Sequence, residues 1–83
     1  MYYMYVLQSI SNSNQLYFGQ TKDLKARLDK HNLGQNASTK RYRPWKIVYY
    51  EAYCSRSVAM NREKQLKHYG QARTALKKRL QLI

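Results

Sequence analysis

Residues 2–8 (Tyr-Tyr-Met-Tyr-Val-Leu-Gln) are aromatic and aliphatic with high β preference, and they predict a strand. Ser9 to Gln15 is rich in Ser and Asn and reads as a hairpin loop. Leu16-Tyr17-Phe18-Gly19-Gln20 is the returning strand, ended by Gly19, where a side chain would hinder close backbone approach. The period then changes. Leu24, Leu28 and His31 follow the i, i+4, i+7 spacing of one helix face, so a helix is predicted over about residues 22–32, with Thr21 as N-cap and Gly34 closing it. Gln35 to Pro44 is a polar, basic loop, and Trp45 to Tyr53 is a third strand centred on Ile47-Val48-Tyr49-Tyr50. Ser55 or Ser57 caps a second helix that runs to about Tyr69 and stops at Gly70. A last helix over about residues 71–80 turns Ala72, Ala75, Leu76 and Leu80 inward. The order ββαβαα predicts an α/β (α+β) fold: a small three-stranded antiparallel sheet flanked by helices.

The chain has 83 residues, which is one domain, 1–83, with a small core and neither repeat nor linker. Charge changes the picture more than length does. Sixteen Lys and Arg face four Asp and Glu, a formal net charge of +12. Such a field attracts polyanions, nucleic acid first and anionic lipid as the rival. No apolar run approaches the roughly 20 residues of a membrane span. Met1 to Tyr5 lacks the basic start of a signal peptide. A cytoplasmic location with no membrane partner is expected. Cys54 is the one cysteine and reads as a small, buried or half-buried thiol in a reducing compartment. Neither CxxC, HExxH, a Gly-rich phosphate loop nor GxSxG is present.

Three features stand out as candidate chemistry. Ala59, Glu63 and Leu66 share one face of the second helix, and a carboxylate among apolar neighbours needs compensation. It could face solvent, pair with Arg62 or Lys67, or hold a metal ion; spacing alone favours the first two. Arg27 and His31 lie one turn apart at the sheet-facing edge of the first helix. They read either as a snorkelling Arg with a core-rim His, or as a phosphate clamp with a proton relay. Tyr5 and Tyr17 sit on adjacent strands. They are either two packed rings or a hydroxyl pair, and use as a base needs the phenol lowered from about 10 by a cation or metal. A fourth stretch, Lys40-Arg41-Tyr42-Arg43-Pro44-Trp45-Lys46, interleaves cations with aromatics, as a segment tracking a phosphate backbone would. Trp45 within it reads as core.

Taken together, these residues resemble the GIY-YIG nuclease superfamily, in its compact bacterial stand-alone subgroup related to the UvrC N-terminal nuclease module. Tyr3-Met4-Tyr5 stands at the first motif and Tyr17-Phe18-Gly19 at the second; Arg27, His31 and Glu63 match the helix arginine, the His-or-Tyr position and the metal-binding glutamate. Residues 43–51 resemble the subgroup's third strand. Tyr3 and Met4 replace Gly and Ile, Phe18 replaces Ile, Gln20 stands where some members carry lysine, and a late asparagine has no clear equivalent. The resemblance implies that Glu63 holds one Mg²⁺ or Mn²⁺ and that Tyr17 is the base toward water. Tyr5 then bonds Tyr17 or positions that water, His31 is the alternative base or relay, and Arg27 neutralises charge on the phosphoryl oxygens. The expected activity is DNA endonuclease cleavage, directed by backbone or structure, in repair or recombination. Lys22, Lys40, Arg41, Arg43, Lys46, Lys64 and Lys67 are expected on the nucleic acid, with RNA as the second possible polymer and the protein a monomer or weak homodimer. The alternative is a binding module that keeps the fold without cutting, or a basic structural protein of a ribonucleoprotein particle.

Overall fold

A computed structural model describes residues 1–81; residues 82 and 83 of the expected domain lie outside the described part. The elements run β1 (Tyr2–Ser9), β2 (Leu16–Thr21), α1 (Leu24–Asn32), a 3-10 turn at Lys40–Tyr42, β3 (Trp45–Tyr53), α2 (Arg56–His68) and α3 (Gly70–Arg79). The fold is α+β, with the expected order. The sheet is antiparallel throughout in the order β2-β1-β3, so β1 is central and pairs with both neighbours.

The two-residue period of β1 divides the interior into two cores. Met4 and Val6, fully buried, point to one face and pack with Phe18, Leu66 of α2 and Leu76 of α3. Tyr5 and Leu7 point to the other face and pack with Trp45, and Leu24 and Leu28 of α1 close over them. Met4 and Phe18, two departures from the family motifs, are therefore core side chains.

Local differences from the expected elements have identifiable causes. Thr21 is not the cap of α1, because it is the last residue of β2, paired with Tyr3. Asp23 caps instead, its carboxylate accepting from the Ala26 N–H at 3.0 Å. β2 does not end at Gly19, which lies within the strand opposite Tyr5. At the far end of α1, Gly34 takes φ +78°, and the N–H groups of Gly34 and Gln35 bond the carbonyls of His31 and Lys30 at 3.1 Å each. That is the glycine-terminated helix stop expected there, and it fixes the turn that carries His31. Gly70 does not stop α2. Tyr69, with φ −111° and ψ 100°, breaks the helix, and Gly70 opens α3. Ala75, expected inward, is exposed, leaving Leu76 as the buried residue of α3. Cys54, expected buried or half-buried, is exposed in the turn between β3 and α2.

Candidate active site

The site grows from the β1/β2 register. Tyr5 pairs with Gly19 and Leu7 with Tyr17, so Tyr5 and Tyr17 lie diagonally on the same sheet face, ring centroids 6.3 Å apart. Gly19 is what lets the Tyr5 ring lie over the neighbouring strand: a Cβ there would sit 2.5 Å from both Cζ and the hydroxyl oxygen of Tyr5. α1 crosses this face and places His31 between the rings, 6.1 Å from Tyr5 and 4.8 Å from Tyr17 by centroid.

His31 is fully buried and both its ring nitrogens are engaged. Nε2 is 3.0 Å from the Tyr5 hydroxyl and Nδ1 is 2.7 Å from the Thr39 hydroxyl oxygen. The Thr39 hydroxyl itself donates to the Asn36 carbonyl at 3.4 Å. In the Nδ1–H tautomer, which leaves that proton on Asn36, Thr39 accepts from Nδ1–H and Tyr5 donates to the Nε2 lone pair. Thr39 is held in turn by Trp45, whose indole N–H donates to its carbonyl at 2.8 Å. The result is a continuous buried chain from Trp45 through Thr39 and His31 to Tyr5.

The protonation behaviour agrees with this assignment. Burial raises the Tyr5 hydroxyl above the ordinary phenol range, the neighbouring Tyr17 and Glu63 raise it further, and Arg27 opposes them. Burial lowers the His31 imidazole, and the Arg27 guanidinium lowers it further. A neutral imidazole thus faces a protonated phenol. Around Tyr5 desolvation outweighs the nearby cation, so this phenol is raised rather than lowered. The Tyr5–Tyr17 hydroxyl bond is also absent; Tyr5 is committed to His31.

Glu63 approaches from α2. It lies between Ala59 and Leu66, both fully buried, with its own side chain 19% exposed. Of its three sequence readings, ion pairing is the one observed: Lys67 Nζ stands 3.5 Å from Oε2. The same ammonium lies 5.2 Å from the centre of the Tyr17 ring, so Lys67 bridges the carboxylate and the second tyrosine. Arg62, the other named partner, turns instead to Glu51, with Nε 2.9 Å from one carboxylate oxygen and Nη2 3.2 Å from the other. The Tyr49 hydroxyl, at 2.7 Å, and that of Tyr53, at 2.5 Å, complete this second network. Although burial pushes the Glu51 carboxyl up, Arg62 and the two phenols together hold it below the usual carboxylate range.

Glu63 fits a hydrated divalent ion in its donor chemistry. It is a hard oxygen ligand, its second oxygen has no partner among the described residues, and one carboxylate can hold Mg²⁺ when water and substrate oxygens fill the shell. Among the described residues no group of three or more His, Cys, Asp or Glu could form a closed protein cage.

Tyr5, Tyr17, His31, Glu63 and, through its field on Tyr5 and His31, Arg27 are therefore brought to one region. The expected nucleic-acid cations are scattered. Lys40, Arg41, Arg43 and Lys46 are exposed at the sheet end where Ser9 pairs with Trp45; Lys22 lies at the opposite end, beside Thr21; Lys64 and Lys67 are on α2. Sequence reasoning missed Thr39, which sits in an aperiodic loop and has no spacing relation to His31. It also missed Arg56, which lines a cavity with Lys22 and Arg27.

Residues 1–80 match the GIY-YIG catalytic domain. The chain belongs to that family. It is 40% identical over 83 residues to a UPF0213 protein of Staphylococcus aureus strain Mu3, covering 99% of this chain and 93% of that one. It is 47% identical over 62 residues to a UPF0213 protein of Streptococcus pyogenes serotype M3, covering 74% of this chain; it spans 65% of the streptococcal protein's length. Membership sets this site within a family of catalytic domains. Among the described residues, no helix is long and apolar enough to cross a membrane.

Proposed function

We propose that this GIY-YIG domain is a metal-dependent DNA endonuclease hydrolysing a phosphodiester by a tyrosine–histidine proton relay. The observation that carries the reading is the Tyr5–His31–Thr39 chain, buried beside Tyr17 within the fields of Arg27 and Glu63. A structural histidine needs partners, but it needs neither a second tyrosine beside it nor a cation and a carboxylate whose fields act on the same phenol.

Glu63 would hold the ion, Mg²⁺ or Mn²⁺, which when bound polarises the phosphoryl group and stabilises the leaving oxygen. The other steps belong to the chain. Tyr17 orients the attacking water and takes its proton, passing its own through an intervening water to the Tyr5 oxygen, since the two hydroxyls do not bond directly. The Tyr5 hydroxyl, already donating to His31 Nε2, gives a path by which a proton arriving at its oxygen is matched by one passing to the imidazole. Thr39 holds the acceptor nitrogen toward Tyr5 by fixing the other N–H. Arg27, permanently cationic, neutralises charge on the non-bridging oxygens. The exposed cations favour recognition of backbone over base edges, which suits a structure-directed role in repair or recombination.

The deciding experiment is cleavage of supercoiled plasmid with Mn²⁺ or Mg²⁺. Wild type should nick or linearise it, EDTA should abolish this, and Glu63→Ala should lose on the order of 10²-fold or more in rate. An intact plasmid with wild type, or equal cutting by Glu63→Ala, overturns the proposal in favour of a binding module.

A further inference from the structure

We propose that the cavity bounded by Tyr2, Gln20, Thr21, Lys22, Arg27 and Arg56 is a subsite for a neighbouring phosphodiester group of the bound strand, beside the group that is cut. This rests on the nuclease reading only for the word "beside"; the binding site stands on its own geometry. The cavity has a volume of about 310 Å³ and lies where β2 ends, α1 approaches and α2 begins. Three of its six lining residues are cations and none is acidic.

These cations differ from others in the chain. Lys25, Arg62 and Lys67 each face a carboxylate, of Asp29, Glu51 and Glu63 respectively. Among the described residues Lys22, Arg27 and Arg56 have no such partner, so their mutual repulsion is relieved by an anion. Arg56 is the first residue of α2, and the Ser55 hydroxyl, at the N-cap, meets the Ser57 hydroxyl at 2.9 Å and makes no capping bond to a backbone N–H. The first N–H groups of α2 thus add their partial positive charge at the same place. Gln20 and Thr21 offer neutral polar atoms to the remaining oxygens, and Tyr2 gives a wall against which a sugar or base can lie.

The position relative to the reacting group follows from shared residues. Arg27 lines this cavity and also the one that contains His31, so the two adjoin at one residue. On α2, Arg56 and Glu63 are seven residues apart on one face, a separation of about 10 Å along the axis. A strand whose scissile phosphate lies at Glu63 and Arg27 therefore passes over Arg56 and Lys22.

The test is metal-free binding, measured by fluorescence anisotropy of a labelled single-stranded oligonucleotide in EDTA over a salt series. Arg56→Gln should weaken binding on the order of 10-fold at low salt and reduce the salt slope by about one. Lys22→Gln and Arg56→Gln combined should lose less than the product of the single losses, because both serve one phosphate. Lys78→Gln, on α3 and away from the cavity, is the control and should change the slope clearly less. If Arg56→Gln and Lys78→Gln are indistinguishable, or the two cavity variants combine multiplicatively, the subsite is refuted. A free phosphate monoester presents the same oxygens. If inorganic phosphate perturbs the Arg56 Nε–H resonance while the DNA slope stays unchanged in Arg56→Gln, the cavity serves free phosphate and the proposal is overturned. A protein that binds as expected but cuts nothing sinks the nuclease reading and leaves the subsite standing.

Discussion

Gly19→Ala tests the central contact of the site. Gly19 faces Tyr5 in the β1/β2 register, and an added Cβ would lie 2.5 Å from Cζ, 2.5 Å from the hydroxyl oxygen and 2.9 Å from Cε1 of that ring. Carbon atoms settle at about 3.5–4.0 Å, so the ring must retreat by about 1 Å. Tyr5 is 2% exposed and cannot swing into solvent. Its hydroxyl now lies 3.0 Å from His31 Nε2. A shift of that size in either direction takes it out of the hydrogen-bond range, into a clash or beyond reach. Overpacking costs about 1–3 kcal/mol, and leaving a buried imidazole nitrogen unpaired costs about 1–3 kcal/mol. Against this, alanine narrows the unfolded ensemble by about 0.4–1 kcal/mol. A net loss of about 1–5 kcal/mol follows, which for a domain of this size lowers Tm by at least about 4 °C. Thermal melts followed by far-ultraviolet circular dichroism would measure it. The pairing with Tyr5→Leu makes the test specific. If the clash with the ring is the cause, the double variant is less destabilised than the sum of the singles by about 1 kcal/mol or more. A Gly19→Ala protein melting within about 2 °C of wild type would refute the argument, as would strict additivity with Tyr5→Leu.

Other outcomes follow from the same geometry. Arg27→Ala should lower the cleavage rate on the order of 10²-fold while leaving Tm nearly unchanged, since the guanidinium has no partner among the described residues; a Tm loss matching the rate loss would mark it as structural. Because burial and Arg27 lower the His31 imidazole, its neutral form is fully present above the ordinary histidine value, near 6.5, and is lost only as pH falls through the lowered value. The cleavage rate should therefore be flat on descending through pH 6.5 and decline below it, and a decline beginning above neutrality in the pH–rate profile would contradict the relay. Glu51→Gln should cost about 1–3 kcal/mol near neutral pH by weakening the bonds from Arg62, Tyr49 and Tyr53. The carboxyl is lowered in the fold, so its contribution is complete above its unfolded value and shrinks as pH falls through the folded one. The gap in Tm between wild type and Glu51→Gln should narrow on acidification; a constant gap would show that ionisation is not what the network uses.

Much of the fold was legible because β1 is an unbroken run of β-favouring aromatic and aliphatic residues and α1 keeps a period of 3.6. Met4 and Val6 fall on one face, Tyr5 and Leu7 on the other, and Leu24, Leu28 and His31 follow on the helix. The boundaries read wrongly were those where two local preferences compete. Thr21 is a good cap, but strand pairing claims it and leaves the role to Asp23. Gly70 is a good stop, but an extended Tyr69 breaks α2 first. The site was legible where spacing fixes neighbours, as for Tyr5 with Tyr17 or Arg27 with His31. It was illegible where a loop returns from a distance. Thr39, eight residues beyond His31, reaches Nδ1 only because the Asn36 turn and the Trp45 indole hold it there. Glu51 gave no signal for the same reason: its partners come from its own strand and from Arg62, eleven residues away on another element.

The arrangement also explains why the candidate groups are difficult to separate from the core. Tyr5 is 2% exposed and His31 0%, so removing either leaves a cavity or an unpaired buried atom as well as a missing relay. Arg27 and Glu63 are both partly exposed, so their substitution changes charge without emptying the core. The site thus has a rigid interior half, built from β1, α1 and the Thr39 loop, and an accessible half supplied by α1 and α2. A rate loss from the accessible half reports on chemistry, whereas one from the interior half must be divided by its Tm. His31→Gln illustrates the division, since the amide can still accept from Tyr5 and donate to Thr39 yet cannot take a proton near neutrality. If it keeps Tm within a few degrees and loses on the order of 10²-fold in rate, the imidazole is a proton acceptor; if rate and Tm are both retained, the buried chain is scaffolding, and Tyr17 must pass the proton elsewhere.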